Sequence, residues 1–246
     1  MKKSFLLILC FMSCLIAMSQ TQQFFTSDKL SSNRVLAICQ DKTGYIWVGT
    51  EYGLNKYDGY RFTNYLHENA KPYSISSNII SFLFSDSQDN LWVGTQLGLD
   101  LYNRDNDQFE HVKLEGAKAL PRINDMVQED EDHLLVGTAG YGLYRLDIKT
   151  LKTEKLEGYD QVDKDYYSHI FIDSEGAFWK SGHGSSIDRR VPTGKIQSFE
   201  SPYGTVTGFA EYEGGVLMAC IHGLLYYRDG HMYDHYFDLS EIGGNE

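Results

Sequence analysis

The 246-residue sequence is sparing in several things, and each scarcity excludes a class of protein. Four prolines and no low-complexity run leave nothing from which long disordered linkers are made. Positive charge is scarce. Against 34 Asp and Glu stand 22 Lys and Arg, a net charge of −12, so the chain is not suited to neutralising phosphates and no nucleic-acid partner is expected. Only four cysteines occur. Cys10 and Cys14 fall within the first 19 residues, while Cys39 and Cys220 sit in separate apolar runs and read as small buried hydrophobes, not as a disulfide framework or a metal site. No apolar run is long enough to cross a bilayer, and nothing reads as a helix longer than a turn or two.

The longest apolar run, from Phe5 to Ile16, follows Lys2 and Lys3 and precedes the small-residue site Ala17-Met18-Ser19. That is the pattern of a secretory signal peptide over 1–19, with Gln20 as the new N-terminus. The lipoprotein alternative through Cys14 is set aside, because Phe11-Met12-Ser13 is a poor acylation signal and apolar residues continue after it. Loss of the two lysines moves the net charge from −12 to −14. The mature chain is therefore expected to be periplasmic or secreted.

What the sequence has in abundance is aromatic side chains, 18 Tyr, 13 Phe and 3 Trp, and a repeat. Tyr45-Ile46-Trp47-Val48-Gly49-Thr50 returns as Leu91-Trp92-Val93-Gly94-Thr95, as Leu134-Leu135-Val136-Gly137-Thr138, more weakly as Phe178-Trp179-Lys180-Ser181-Gly182, and as Val216-Leu217-Met218-Ala219-Cys220. Trp47, Trp92, Leu135, Trp179 and Leu217 are spaced by 45, 43, 44 and 38 residues. A period of this length built from strand-like pieces marks propeller blades. In the first copy, Arg34 to Gln40, Tyr45 to Thr50, Gly53 to Tyr57 and Tyr60 to Tyr65 are four strands joined by short turns, Asp41-Lys42-Thr43-Gly44 among them. An additional strand is possible over Gln22 to Thr26. The fold class expected is all-β: a propeller of four-stranded antiparallel blades, about five of them, with repeats near 30–66, 75–112, 120–154, 165–199 and 204–238 of a domain spanning 20–246. The tryptophans are expected in the core between blades, with the glycine of each Trp-Val-Gly-Thr letting the next sheet come close.

With the lead-in turn Leu30-Ser31-Ser32-Asn33, the hairpin Asp41-Lys42-Thr43-Gly44 and the run from Trp47 to Gly59 laid out, the chain resembles the two-component regulator propeller family. The resemblance is strong in copies one and two, fair in copy three and weak in four and five, where Ser181 replaces the glycine and Leu217 and Ala219 replace Trp and Gly. Membership would imply the periplasmic sensor region of a hybrid two-component histidine kinase, acting as a homodimer and controlling polysaccharide-use genes. It would also imply a seven-bladed ring, of which this sequence has room for about five blades. Kinase and membrane-spanning parts would lie in a longer protein.

In a propeller, the loop from the second to the third strand and the loop leading into the first emerge at the same end. This places Asn33, Arg34, Glu51, Tyr52, Asn78, Gln96, Asn124, Tyr141, His169, His183 and His222 around one mouth of the central channel. Planar polar groups and aromatic faces suit an oligosaccharide, which is the ligand expected. Turn formation is the plainer role for Asn33 and Asn78. His231 and His235 lack a helix to aim both rings at one metal, and Asp100, Asp105 and Asp107 lack the spacing of a calcium loop. No metal, cofactor or catalytic residue is expected. The rival readings are a secreted propeller glycosidase or lyase and a propeller that serves only as a protein-interaction scaffold.

Overall fold

The computed structural model describes residues 29–158 and 166–234. The expected signal peptide over 1–19 and the possible strand over 22–26 lie outside these residues, as does the end of the last repeat. Twenty strands form five separate four-stranded sheets, antiparallel throughout, and no helix occurs among the described residues. Blade 1 holds β1 (Val35–Gln40), β2 (Ile46–Thr50), β3 (Gly53–Tyr57) and β4 (Phe62–Tyr65). Blade 2 holds β5 (Ile80–Ser85), β6 (Leu91–Thr95), β7 (Gly98–Asn103) and β8 (Gln108–Val112). Blade 3 holds β9 (Ile123–Gln128), β10 (His133–Thr138), β11 (Leu143–Asp147) and β12 (Thr153–Leu156). Blade 4 holds β13 (His169–Ile172), β14 (Phe178–Ser181), β15 (Ser186–Arg190) and β16 (Ile196–Glu200). Blade 5 holds β17 (Val206–Tyr212), β18 (Gly215–Cys220), β19 (Gly223–Arg228) and β20 (His231–Tyr233). The sheets are meanders, each strand paired with its neighbour in sequence.

The first strand of each blade is innermost, since β1 packs on β5, β5 on β9, β9 on β13 and β13 on β17. Among the described residues no comparable contact joins β17 to β1, so these five blades form an open arc. Cys39 and Cys220 stand in its first and last blades as free, half-buried thiols.

Trp47, Trp92 and Trp179 are fully buried. Each is fixed by an aspartate six residues earlier in the turn between the first two strands. Asp41 accepts the indole N–H of Trp47 at 2.8 Å, Asp86 that of Trp92 at 2.9 Å and Asp173 that of Trp179 at 2.8 Å. The other carboxylate oxygen closes the turn by accepting backbone N–H groups, from Tyr45 for Asp41, from Gln88 and Asn90 for Asp86, and from Glu175 and Ala177 for Asp173. A buried indole N–H left without an acceptor is costly, so the turn and the core specify each other. In blades 3 and 5 the Trp is Leu and the acid six residues earlier is Glu. Glu129 pairs instead with Arg145 through two 2.6 Å bonds, and Glu211 accepts the backbone N–H of Ser174 in blade 4.

Stacking of the first three blades depends on the glycine two residues after Trp47, Trp92 and Leu135. A Cβ at Gly49 would meet Ile80 Cγ2 at 2.6 Å, one at Gly94 would meet Ile123 Cβ at 3.0 Å, and one at Gly137 would meet Tyr167 Cβ at 3.0 Å. Ile80, Ile123 and Val206, each opening an innermost strand, are 0% exposed, whereas Val35 at the same place in blade 1 is 40% exposed. Polar ties cross the same seams. A one-residue bulge follows the first residue of β5 and of β9, and its side chain reaches the next blade: Ser81 Oγ donates to Ile123 O at 2.5 Å and Asn124 Nδ2 to Tyr167 O at 2.8 Å. Arg104 spans blades 1 and 2, bonding Asp41 at 2.9 Å and the Asp89 carbonyl at 3.2 Å.

Blade 4 departs from the pattern as its sequence does. Lys180 stands fully buried where the other blades carry Val48, Val93, Val136 and Met218, with its ammonium 4.6 Å from the Tyr167 ring centroid. Exposed apolar side chains line the first blade, with Ile38 67% exposed, because no blade precedes it among the described residues.

Two stability outcomes follow. Asp86→Ala orphans the Trp92 indole and two turn amides and should lower the unfolding free energy by about 2–3 kcal/mol in urea titration, while Glu211→Ala should have a distinctly smaller effect; equal effects would contradict the pairing. Gly49→Val should cost about 1–3 kcal/mol by overpacking, and Ile80→Ala in the same chain should recover part of that loss. A double variant whose loss equals the sum of the two single losses would show that the glycine is not there to admit Ile80.

Candidate functional site

All eleven residues assigned to the channel mouth lie at one end of the arc, because in each blade the loop between second and third strands is bonded to the segment leading into the first. Asn33 and Arg34 precede β1 and Glu51 and Tyr52 follow β2, with Glu51 N donating to Arg34 O at 3.2 Å. In blade 2, Gln96 N donates to Ile79 O at 3.0 Å, and Gly53 N of blade 1 reaches Asn78 O at 2.6 Å. Blade 3 brings Tyr141 and Asn124, blade 4 His169 and His183, and blade 5 His222, whose N–H donates to Tyr203 O at 3.1 Å.

Their side chains do different jobs. Asn124 ties blades 3 and 4, as described, and Asn78 Oδ1 accepts the His67 backbone N–H at 2.7 Å, a turn-forming bond. Asn33 is likewise engaged. The His183 ring stacks on Tyr166 with centroids 3.6 Å apart, and His169 Nδ1 lies 3.4 Å from the Asp125 carboxylate, which also accepts the Ile170 N–H. Tyr141 packs against the core between blades 2 and 3. The groups presented outward are the Arg34–Glu51 ion pair, closed at 2.7 Å, together with Tyr52, Gln96 and His222.

Cavities of about 410, 500 and 530 Å3 lie away from this end. The smallest, between blades 4 and 5, is highly charged and takes in Arg189, whose guanidinium lies 5.4 Å from the Trp179 ring and 5.1 Å from that of Tyr227 and pairs with Glu175 at 3.0 Å. The other two adjoin one another on the outer rim of blades 1 and 2. The segment from His67 to Ile75 folds back over β8 there, with Phe109 N donating to Tyr73 O at 3.0 Å. Beneath it, Tyr65 and Tyr102 both donate their hydroxyls to Asp107, at 2.6 and 2.5 Å, and Lys56 Nζ lies 3.3 Å from Tyr102 Oη. Burial and the bond to Asp107 raise both phenols, Tyr102 to about 12. Burial alone would raise Asp107, but the two hydroxyls and the Lys56 charge outweigh it, and its carboxyl sits below the usual range. The cluster is therefore a neutral phenol–carboxylate set held in one protonation state across the physiological range.

Two stretches of the chain, residues 29–52 and 74–96, match the family model described as two component regulator propeller. These are two-component regulator propeller repeats. They are the lead-in turn through the second strand of blades 1 and 2, the part that carries the Asp-to-Trp bond. A histidine kinase of Formosa agariphila, histidine kinase P4, is 46% identical over 55 residues, which make up 22% of this chain and 4% of that protein. Among solved structures, the extracellular domain of a protein assigned to a hybrid two-component system of Bacteroides thetaiotaomicron superposes with a TM-score of 0.76 at 23% identity, covering 86% of this chain and 31% of that one. The extracellular domain of another protein of that organism, assigned to a one-component system, gives 0.54 at 15% identity, over 88% and 38% of the respective chains. The chain thus spans about a third of these two structures, and at these identities they show the propeller fold. Among the described residues, no helix is long and apolar enough to cross a membrane, and no three His, Cys, Asp or Glu side chains converge as metal ligands.

Repeat 2 carries one titratable switch on its outer strand. His111 Nδ1 lies 2.7 Å from Asp100 Oδ1 and 2.9 Å from Ser76 Oγ, whose own hydroxyl donates to Asp100, and Nε2 lies 2.9 Å from Pro72 O, so only the imidazolium can donate to both Asp100 and Pro72. The bond to Asp100 raises His111 above its ordinary value, with burial partly opposing and the Pro72 carbonyl adding to it. A raised folded-state value means the contribution is complete below the unfolded pKa, near 6.5, and fades as pH climbs through the higher folded value. The stability advantage of the wild type over His111→Gln should therefore shrink between pH 6 and pH 8.5 in urea titrations; an advantage that grows or stays flat would contradict it.

Proposed function

We propose that this protein is the exported, non-catalytic, ligand-sensing propeller region of a hybrid two-component regulator, that its ligand is an oligosaccharide, and that the response is expression of polysaccharide-use genes. The observation that carries the reading is the pair of two-component regulator propeller repeats in blades 1 and 2, joined to an arc that superposes on extracellular domains of signalling proteins. Export is supported by the signal-like first 19 residues and by the extracellular origin of those structural relatives. The flank of blade 1, where Val35 is exposed although its counterparts are fully buried, supports a larger ring of seven blades in the working protein.

At the channel end, Arg34 with Glu51, Tyr52, Gln96 and His222 offer planar polar groups and an aromatic face to sugar hydroxyls and ring faces. A sensor of this kind signals only if the ligand prefers one arrangement of the homodimeric sensor region over another, so that binding shifts their balance. The test is a thermal melt of the purified protein against a panel of oligosaccharides. A true ligand at about 100 times its Kd adds about 2.7 kcal/mol, which for a chain of this size raises Tm by about 5–10 °C. Failure of every sugar to move Tm would remove the oligosaccharide reading. Cleavage of a labelled sugar would replace it with an enzyme, and recovery of a stable protein complex without any sugar effect would replace it with a scaffold.

A further inference from the structure

We propose a second recognition site on this protein, away from the channel: the groove on the outer rim between blades 1 and 2, taking a neutral glycan. It stands on its own geometry and shares only a ligand class with the function proposed above. The two adjoining cavities of about 530 and 500 Å3 have Pro72, Tyr73, Asn106, Gln108 and Phe109 in common. Each volume is within the range of small-ligand sites, about 300–1,000 Å3.

The chemistry is set by which groups are already occupied. Asp107 Oδ1 is occupied by the Tyr65 and Tyr102 hydroxyls. Lys71 is paired with Glu68 at 2.7 Å, and Asn64 is spent on Asn55 and Lys29. What the groove leaves unengaged is the 61%-exposed ring of Tyr73 and the exposed amides of Asn106 and Gln108, none of which has a side-chain partner among the described residues. An aromatic face for the C–H side of a sugar ring, beside amides that both donate and accept, matches the alternating polarity of a pyranose. Lys71 and His111 are held by Glu68 and Asp100, while the carboxylates of Asp107 and Glu110 keep the lining net negative, so a uronate or phosphate would meet like charge with no free cation and be disfavoured. Phe109, 3% exposed, and the Tyr65–Tyr102–Asp107 cluster form a rigid floor, and the bond from Phe109 N to Tyr73 O fixes the aromatic platform to β8. The floor is preorganised on the sheet, and the linker that carries Tyr73 is tied to it.

The test is affinity gel electrophoresis of the purified protein through gels containing amylose, xylan, galactan, mannan or laminarin, with polygalacturonate and alginate as charged counterparts. At least one neutral polymer should retard the wild type, with Tyr73→Ala weakening retention at least tenfold and Gln108→Ala about threefold. Tyr60→Ala, which removes another highly exposed tyrosine outside the groove, should leave it unchanged. Because Tyr73 and Gln108 are exposed, equal Tm values for all variants will show that they fold. Retention that survives Tyr73→Ala but is lost in Tyr52→Ala overturns the groove while leaving an oligosaccharide sensor acting at the channel end. Retention by the uronate polymers alone overturns the neutral class. No retention by any polymer overturns the groove, and if the thermal melts are also flat the oligosaccharide sensor falls with it.

Discussion

The structure depends on a single carboxylate doing two tasks. In blades 1, 2 and 4 an aspartate at the first hairpin closes its own turn with one oxygen and accepts a buried indole N–H with the other. Turn conformation, strand register and the position of the largest core side chain are thereby coupled, so an error in one leaves an unpaired polar group in the other two. That coupling recurs in three of the five blades and gives each of those three a local specification before it meets its neighbour.

Stacking the blades then needs only shape and a few crossings. Glycine two residues beyond the tryptophan makes room for the first residue of the next innermost strand, and the bulge residues Ser81 and Asn124 and the Arg104 guanidinium bond across the seam. Where Trp becomes Leu, the paired acid becomes Glu and turns outward, to Arg145 in blade 3 and to blade 4 in blade 5. The weaker copies are thus not decayed versions of the same device. They use the freed carboxylate for surface and inter-blade bonds.

Much of this was legible in the sequence. The Trp-Val-Gly-Thr spacing reveals all five blades, because strand pairing repeats the same residues at the same places, and it locates the tryptophans and the close-packed glycine. The acid six residues before each Trp or Leu was visible too, but its meaning needed the indole direction, which spacing alone does not carry. The mouth residues share one end because connectivity requires it. Which of them remain presented does not follow from connectivity: Asn78 and Asn124 differ from Gln96 only in what lies opposite. The rim groove was missed altogether, because Tyr73, Asn106 and Gln108 come from a linker and the outer hairpin of blade 2, positions that a repeat alignment treats as spacers.

For function, the arc offers a scaffold with two distinct polar surfaces, the channel end and the outer rim, and an exposed blade-1 flank. These surfaces are where the recognition role proposed above would act. The most direct test is an immunoblot of membrane and soluble fractions from native cells, using an antibody raised to residues 29–158. The account predicts a band in the membrane fraction far above the 28.1 kDa of this chain. A soluble band near 28.1 kDa, with none in the membrane, would contradict it and leave a free-standing propeller.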